Sequence, residues 1–340
     1  MKVAVGISGG VDSAVAALLL KEQGHEVVGV TMTLGRADEA KSLAEAKAAA
    51  ERLGIGLKVF DFSHEWNSCV LDYIRTTYLD GRTPNPCVRC NETVKFGLLP
   101  QAAFALGCER FATGHYARLV FRLSSPVLLR AVDRSKDQSY FLYRVRPEIL
   151  AKTIFPLGEL TKDEVRTKAR QFGLAVADKG DSQDFCGGDP MRIVNEPDRA
   201  GEVVTVEGKV IGTHRGYWNY TVGMRKGLGI GGGTPYYVVA LDAEKNRVIV
   251  GFKADAVVRE FKVADRVGFR TSGQESGRAS PIAGAIASLM VKVRSAGEPR
   301  GPVTIEGDVI RCPDGIAGVA PGQSAVFYDG DAVVGGGIVV

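Results

Sequence analysis

The sequence lacks any window of about 18 uncharged apolar residues, so nothing in it is suited to spanning a bilayer. No leader is expected either. Met1-Lys2-Val3-Ala4-Val5-Gly6 already reads as a buried strand, whereas a signal peptide needs a longer apolar run and a cleavage site. A cytoplasmic location is expected. No internal repeat and no low-complexity segment is present, which excludes a repeat array. A strong charge excess is lacking too: the net charge is +4 and the pI about 8.7, compatible with nucleic acid but shared by many metabolic enzymes.

What is present is enough apolar material, 45% of 340 residues, for two or three domains with real cores. The first 190 residues alternate between strand and helix. Lys2–Ile7, Glu26–Thr33, Leu57–Phe62 and Arg110–Thr113 read as strands. Val11–Gln23, Ala37–Leu53, His64–Tyr78, Asn91–Leu106 and Thr161–Phe172 read as helices, the last opened by Thr161 with Glu164 three residues on. That order predicts an α/β fold with a doubly wound parallel sheet, whose ligands bind beyond the carboxyl ends of the strands. Arg199–Gly212 reads as a hairpin turning at Glu207-Gly208, and from Phe261 the chain is short Val- and Gly-rich strands. The expected division is a catalytic domain over 1–190, a small central domain over 191–254 and a C-terminal β-barrel over 255–340.

The first strand runs straight into Gly6-Ile7-Ser8-Gly9-Gly10-Val11-Asp12-Ser13 and a helix. Glycines let the backbone N–H groups approach an anion, and the helix N-terminus adds free donors and the positive end of its dipole. Ser8 and Ser13 can donate to phosphate oxygens. Asp12 would repel a bare phosphate, so it is expected to hold Mg²⁺ or to meet the reacting group. No Gly-Lys-Ser/Thr follows, so this is not a Walker A loop, and the spacing does not match the dinucleotide fingerprint. The string resembles the PP-loop of the ATP pyrophosphatases, which cut ATP between the α and β phosphates and leave AMP on a substrate oxygen.

Six cysteines are spread through the chain. Cys69, Cys108 and Cys312 sit in apparent helix or strand and read as small buried hydrophobes. Cys87 and Cys90 form a C-x-x-C at a predicted helix start, where the dipole and Arg89 are expected to favour thiolate. Cys186 lies in the polar, Gly-rich segment Asp181-Ser182-Gln183-Asp184-Phe185-Cys186-Gly187-Gly188. After adenylation of a carbonyl oxygen, a cysteine persulfide can supply sulfur to the same carbon, and a second cysteine can complete release through a disulfide.

Further strings follow in order: Thr83–Asn91, Ala112-Thr113-Gly114-His115-Tyr116, Lys136-Asp137-Gln138-Ser139-Tyr140-Phe141-Leu142, Gly223-Met224-Arg225-Lys226-Gly227-Leu228-Gly229, and Pro321-Gly322-Gln323-Ser324. With the phosphate loop and the Cys186 segment, the set resembles the tRNA-specific 2-thiouridylases over nearly the whole chain. The resemblance implies ATP-dependent adenylation of the C2 oxygen of the wobble uridine in tRNA, then sulfur transfer with release of AMP and pyrophosphate. It implies that Gly6 to Ser13, Met32 and Gly114 contact ATP, brought in with Mg²⁺. Cys90 would be the nucleophile and Cys186 the persulfide carrier, with Asp12 also at the reacting centre. Asn85, Pro86 and Cys87 would lie against the target base. His115, Lys136, Asp137, Gln138, Arg294, Ser295 and Gln323 would touch tRNA. Arg225 and Lys226 could clamp phosphates.

The chain departs from the family's usual pattern at Cys87, often Asp, and at Ser-Gln-Asp-Phe-Cys-Gly-Gly, often Ser-Thr-Gly-Ile-Cys-Phe. It is also short between Cys186 and Val203. Two sulfur routes stay open: a metal-free persulfide relay fed by a donor protein, or a [4Fe–4S] cluster on Cys87, Cys90 and Cys186 whose free iron binds sulfide. Zinc would need a fourth ligand. The rival within enzymes is a PP-loop ligase that adds ammonia to an adenylated small molecule and needs neither Cys90 nor Cys186. A non-enzymatic rival is an ATP-sensing or cluster-carrying tRNA-binding protein. A monomer is expected.

Overall fold

The structure, a computed structural model, describes residues 1–37, 39–123, 125–174, 190–231, 233–268 and 289–340. Val3, Ala4 and Val5 have no exposed surface, as a central strand covered on both faces requires. They form β1 (Lys2–Gly6). Parallel to it run β2 (Glu26–Thr33), β3 (Leu57–Asp61), β4 (Arg110–Ala112) and, past a hairpin of β5 (Ala117–Arg122) and β6 (Ser125–Arg130), the short β7 (Thr153–Ile154). Their order across the sheet is β3-β2-β1-β4-β7. Helices cover both faces. On one, α1 (Val11–Glu22) packs with α2 (Glu39–Leu53) and the helix Lys162–Gln171, its Ala14, Ala16 and Ala17 letting it lie close. On the other lie Val88, Phe96, Leu99 and Ala103 of the helical run 86–105. The fold is the expected doubly wound sheet, and the Thr161–Glu164 capping box is present.

Two helical stretches are wider than the sequence suggests. Asn67–Leu71 and Asn91–Leu98 are π-helical insertions, a form that recurs at functional sites. A Cβ at Gly97 would sit 2.9 Å from the Glu92 carbonyl five residues back, so the wide turn needs glycine there.

The middle of the chain forms a second sheet from β8 (Gly201–Thr205), β9 (Val210–His214), β10 (Tyr237–Asp242) and β11 (Arg247–Gly251), ordered β10-β11-β8-β9. The Arg199–Gly212 hairpin is β8–β9; β10 and β11 escaped the sequence reading. Their core takes in Tyr78 and Leu79 of the first domain. The C-terminal β-barrel comprises β12 (Val257–Gly268), β13 (Met290–Lys292), β14 (Thr304–Glu306), β15 (Val309–Ala317), β16 (Ser324–Asp329) and β17 (Ala332–Val339). The β5–β6 hairpin, also unforeseen, joins this sheet through Leu129 opposite Ala332. The expected Arg270–Pro281 loop lies outside the described residues. Among the described residues no helix is long and apolar enough to cross a membrane.

Asn85 ties the first domain to the barrel. Its Oδ1 accepts from the Val88 N–H, capping the helix Pro86–Cys90, while its Nδ2 donates to Tyr140 Oη and Ser324 Oγ, both at 3.3 Å. Tyr140 Oη in turn donates to the Ser324 carbonyl. Asn85→Ala removes the cap and the cross-domain amide bonds, a cost of about 1–2 kcal/mol. Its melting midpoint is expected to fall by a few degrees. An unchanged midpoint would show that the junction does not depend on this side chain.

Candidate active site

The phosphate loop lies at the carboxyl end of β1. Gly9 adopts φ +80°, and a Cβ there would sit 2.7 Å from Glu45 Cβ of α2. Ser13 Oγ donates to the Gly10 carbonyl (3.0 Å) and accepts the Ser8 N–H (3.2 Å), which fixes the curve of the loop. Ile7 and Val11 bury their side chains, so they offer a ligand only backbone atoms. No side chain caps α1 at Gly10, which leaves its first-turn N–H groups for an anion. Gly114, at the carboxyl end of β4, presses on this turn: a Cβ there would be 2.7 Å from both Asp12 C and Ser13 N. Met32, near the end of β2, is half-buried on the same edge of the sheet.

Asp12 has partners of its own. Lys162 Nζ lies 2.8 Å from each of its oxygens, and Tyr116 Oη donates to Oδ1 at 2.9 Å. The Lys162 side chain is only 7% exposed, while that of Asp12 is 31% exposed. Asp12 is thus tied to Lys162 and Tyr116 as well as to the loop that carries it. Neither Lys162 nor the Tyr116 hydroxyl figured among the sequence candidates. A lysine at the first position of a helix, against the dipole, is the one signal that marks it.

The C-x-x-C follows at the start of the helical run 86–105. Pro86 and Cys87 are half-buried. Cys90 is 3% exposed, within an apolar cluster of Trp66, Val70, Ile74 and Val94 against which Met32 also packs. Burial raises both thiols, Cys90 to about 11, and the Lys95 ammonium one turn on opposes this only partly. The thiolate expected from the helix dipole is therefore outweighed by desolvation. Arg89 does not face the thiols: its Nε donates to the Cys69 carbonyl, Nη1 meets Glu92, and its guanidinium lies over the Tyr73 ring. Cys186 lies outside the described residues.

Several residues assigned to tRNA contact are engaged internally. His115 packs between the Phe96 and Phe155 rings with Nδ1 2.8 Å from Thr113 Oγ1; burial pushes its pKa down to about 3, so it is neutral at any physiological pH. Asp137 accepts from the Ala131 and Ser139 N–H groups and pairs with Arg130. Gln138 Oε1 accepts the Tyr116 N–H. Gln323 Nε2 donates to the Thr83 and Pro84 carbonyls, holding the approach to the C-x-x-C. Arg294 bridges the Gly318 and Val222 carbonyls at the surface, with Ser295 exposed beside it. Lys136 is half-buried.

Three family models match consecutive stretches: a tRNA methyl transferase HUP domain over 1–187, a tRNA methyl transferase PRC-barrel domain over 194–252 and an aminomethyltransferase beta-barrel domain over 280–339. The tRNA-specific 2-thiouridylase MnmA of Trichormus variabilis is 43% identical over 99% of this chain and 98% of its own length. That of Syntrophotalea carbinolica is 44% identical over 98% and 97%. The chain belongs to the tRNA-specific 2-thiouridylase family. A solved 4-thiouridine synthetase–RNA complex with bound ATP is a distant neighbour, 16% identical over 53% of this chain and 42% of that one, at a TM-score of 0.36.

For a member of the 2-thiouridylase family the layout is coherent. The loop after β1, Gly114 after β4 and Met32 near the end of β2 all lie at the carboxyl edge of the parallel sheet, where ligands of such sheets bind, and Met32 packs against the cluster that holds Cys90.

Proposed function

We propose that the chain binds ATP on the loop Gly6–Ser13, transfers AMP to the C2 oxygen of the wobble uridine of tRNA, and replaces that oxygen with sulfur. It works as a monomer in the cytoplasm. The observation that supports this most directly is that the phosphate loop follows β1 at the edge of the sheet where Met32 ends β2, and Met32 packs against the apolar cluster that holds Cys90. Methyl transfer, the word in two of the family models' descriptions, gives no role to such a loop or to a buried cysteine beside it.

Adenylation breaks the α–β phosphate bond and leaves AMP on the C2 oxygen as a leaving group, with pyrophosphate released. The terminal sulfur of a persulfide on Cys186 attacks C2 and AMP departs. Cys90, as thiolate, then attacks the Cys186 sulfur. The electron pair of the S–S bond goes to the sulfur on C2, giving 2-thiouridine and a Cys90–Cys186 disulfide. An external dithiol must reduce that disulfide before the next turnover. Mg²⁺ enters with the nucleotide phosphates. Lys162 neutralises Asp12 beside them, so that the loop can receive a polyanion.

The relay uses Cys90 and Cys186 alone, whereas a [4Fe–4S] cluster would take Cys87 as a third ligand, so iron content separates the two routes. Protein purified without oxygen, given ATP, unmodified tRNA and a persulfide donor, is expected to form 2-thiouridine with equal AMP and pyrophosphate and no stoichiometric iron. About four irons per chain, lost in Cys87→Ala, would replace the relay by a cluster. AMP release with ammonia incorporated and no sulfur would overturn the reading altogether.

A further inference from the structure

The middle sheet carries a surface that the reaction above does not use. The β10–β11 register pairs Tyr237 with Gly251, so the next residues out, Tyr236 and Phe252, face each other beyond the strand ends. Their rings are stacked, with centroids 5.1 Å apart and planes 20° from parallel. Phe252 is 46% exposed, which is costly for a ring in a small domain that has a core available. Val206 continues β8 alongside, its N–H donating to the Val250 carbonyl, and is itself exposed.

A basic loop springs from the same edge. The Gly223 N–H donates to the Val238 carbonyl, and the Val238 N–H to the Met224 carbonyl, so the chain leaves the sheet beside Tyr236 and Tyr237. Arg225 and Lys226 come next, both exposed; Leu228 is buried and pins the loop down. Gly227, Gly229 and Gly233 take positive φ and bend it back. Lys253 is exposed directly after Phe252. Among the described residues none of Arg225, Lys226 and Lys253 forms an ion pair. The one carboxylate in the turn, Asp255, is occupied by the Phe252 N–H. The root of the loop rests on Arg294: a Cβ at Gly223 would lie 2.3 Å from Arg294 Nη2, and one at Gly318 2.1 Å from it. The surface is thus continuous from the barrel to the aromatic pair.

We propose that this patch is a nucleotide-binding platform for the tRNA substrate, on which an unpaired base stacks against the outer face of the Phe252–Tyr236 pair while Arg225, Lys226 and Lys253 hold the flanking phosphates. The proposal rests on the tRNA reading above. An exposed phenyl ring backed by a tyrosine, with three unpaired cations on the adjoining glycine-bent loop and turn, fits a single-stranded nucleotide, whose base and phosphates present a flat apolar face and negative charge within one residue. An apolar protein partner would leave the three cations without counter-charges.

The test is the affinity of the full chain for unmodified tRNA across a salt series, with thiolation measured in the same samples. Phe252→Ala is expected to weaken binding about 5- to 150-fold, the range for losing one base–aromatic stack, without changing the salt slope. Phe252→Trp should bind like wild type and Phe252→Leu like Phe252→Ala, which separates stacking from mere apolar cover. The double variant Arg225→Ala/Lys226→Ala should reduce the slope of log K against log salt by about 1.4–1.8. Phe252→Ala, Phe252→Leu and the double variant should raise the KM for tRNA and leave kcat at saturation unchanged. Unaltered affinity and slope in folded variants would overturn the proposal. So would variants that bind tRNA normally but slow only when a protein delivers the sulfur. Thiolation by wild type reports on the enzyme reading separately: its absence would sink that reading, whereas normal thiolation with unaffected variants would sink only the platform.

Discussion

Cys90→Ser should lower 2-thiouridine formation by at least about a thousandfold, while tRNA-dependent pyrophosphate release stays within about threefold of wild type. On the proposed mechanism the two half-reactions separate, because adenylation would use the loop at β1 and need no sulfur, whereas release of the thiolated base would need a thiolate. Burial holds the Cys90 thiol at about 11, so only about one molecule in several thousand is ionised at pH 7.5. The sign follows: with the thiol raised, the reactive fraction grows about tenfold per pH unit up to that value, and single-turnover sulfur transfer should rise with pH from 6.5 to 8.5. Wild-type thiolation by Cys90→Ser would remove Cys90 from the chemistry and leave Cys87 and Cys186 as the remaining pair.

Gly114→Ala should raise the KM for ATP and lower pyrophosphate release, by about a hundredfold in kcat/KM. The added Cβ would meet Asp12 C and Ser13 N at 2.7 Å and Asp12 O at 2.9 Å. All three are backbone atoms of the phosphate loop, so no side chain can swing aside and the loop itself must move. Displacements on the order of 1 Å in a binding frame carry penalties of this size. Gly24→Ala is the control: nothing lies within 4 Å of its Cβ, although its φ of +79° makes alanine strained. That variant should lose about 1 kcal/mol of stability and no ATP affinity. Equal ATP kinetics in both variants would mean that Gly114 does not shape the nucleotide site.

Much of the catalytic domain was legible because its signals are local. Val3-Ala4-Val5 is apolar without alternation, as a doubly covered strand must be, and the glycines after it mark the loop. The Lys162–Asp12 pair was not legible, since its members are 150 residues apart and only the fold brings them together. The same holds for Asn85 and Gln323, polar residues whose bonding partners lie 239 residues away. A sequence shows that such a side chain is polar, not whether it faces a ligand or its own backbone. The β5–β6 hairpin was hidden for another reason. Its turn holds Leu123 at φ +46°, a conformation that branched apolar residues rarely adopt and that no Asn-Gly pair advertised. Arg89 was misjudged because adjacency along the chain was taken for adjacency in space.

The single rung between Leu129 and Ala332 has a consequence for synthesis. The hairpin leaves the ribosome about 200 residues before the strand that pairs with it. At about 5–20 residues per second, some 10–40 s pass with one edge of that hairpin open. Val120, Phe121 and Leu123 on it remain exposed even in the finished fold. A nascent chain stalled or truncated before β17 therefore presents a bare strand edge beside apolar side chains, the form most apt to pair with another chain. Fragments ending before residue 332 should be recovered in aggregates or on chaperones, so that the last strand made determines whether the first domain is delivered intact.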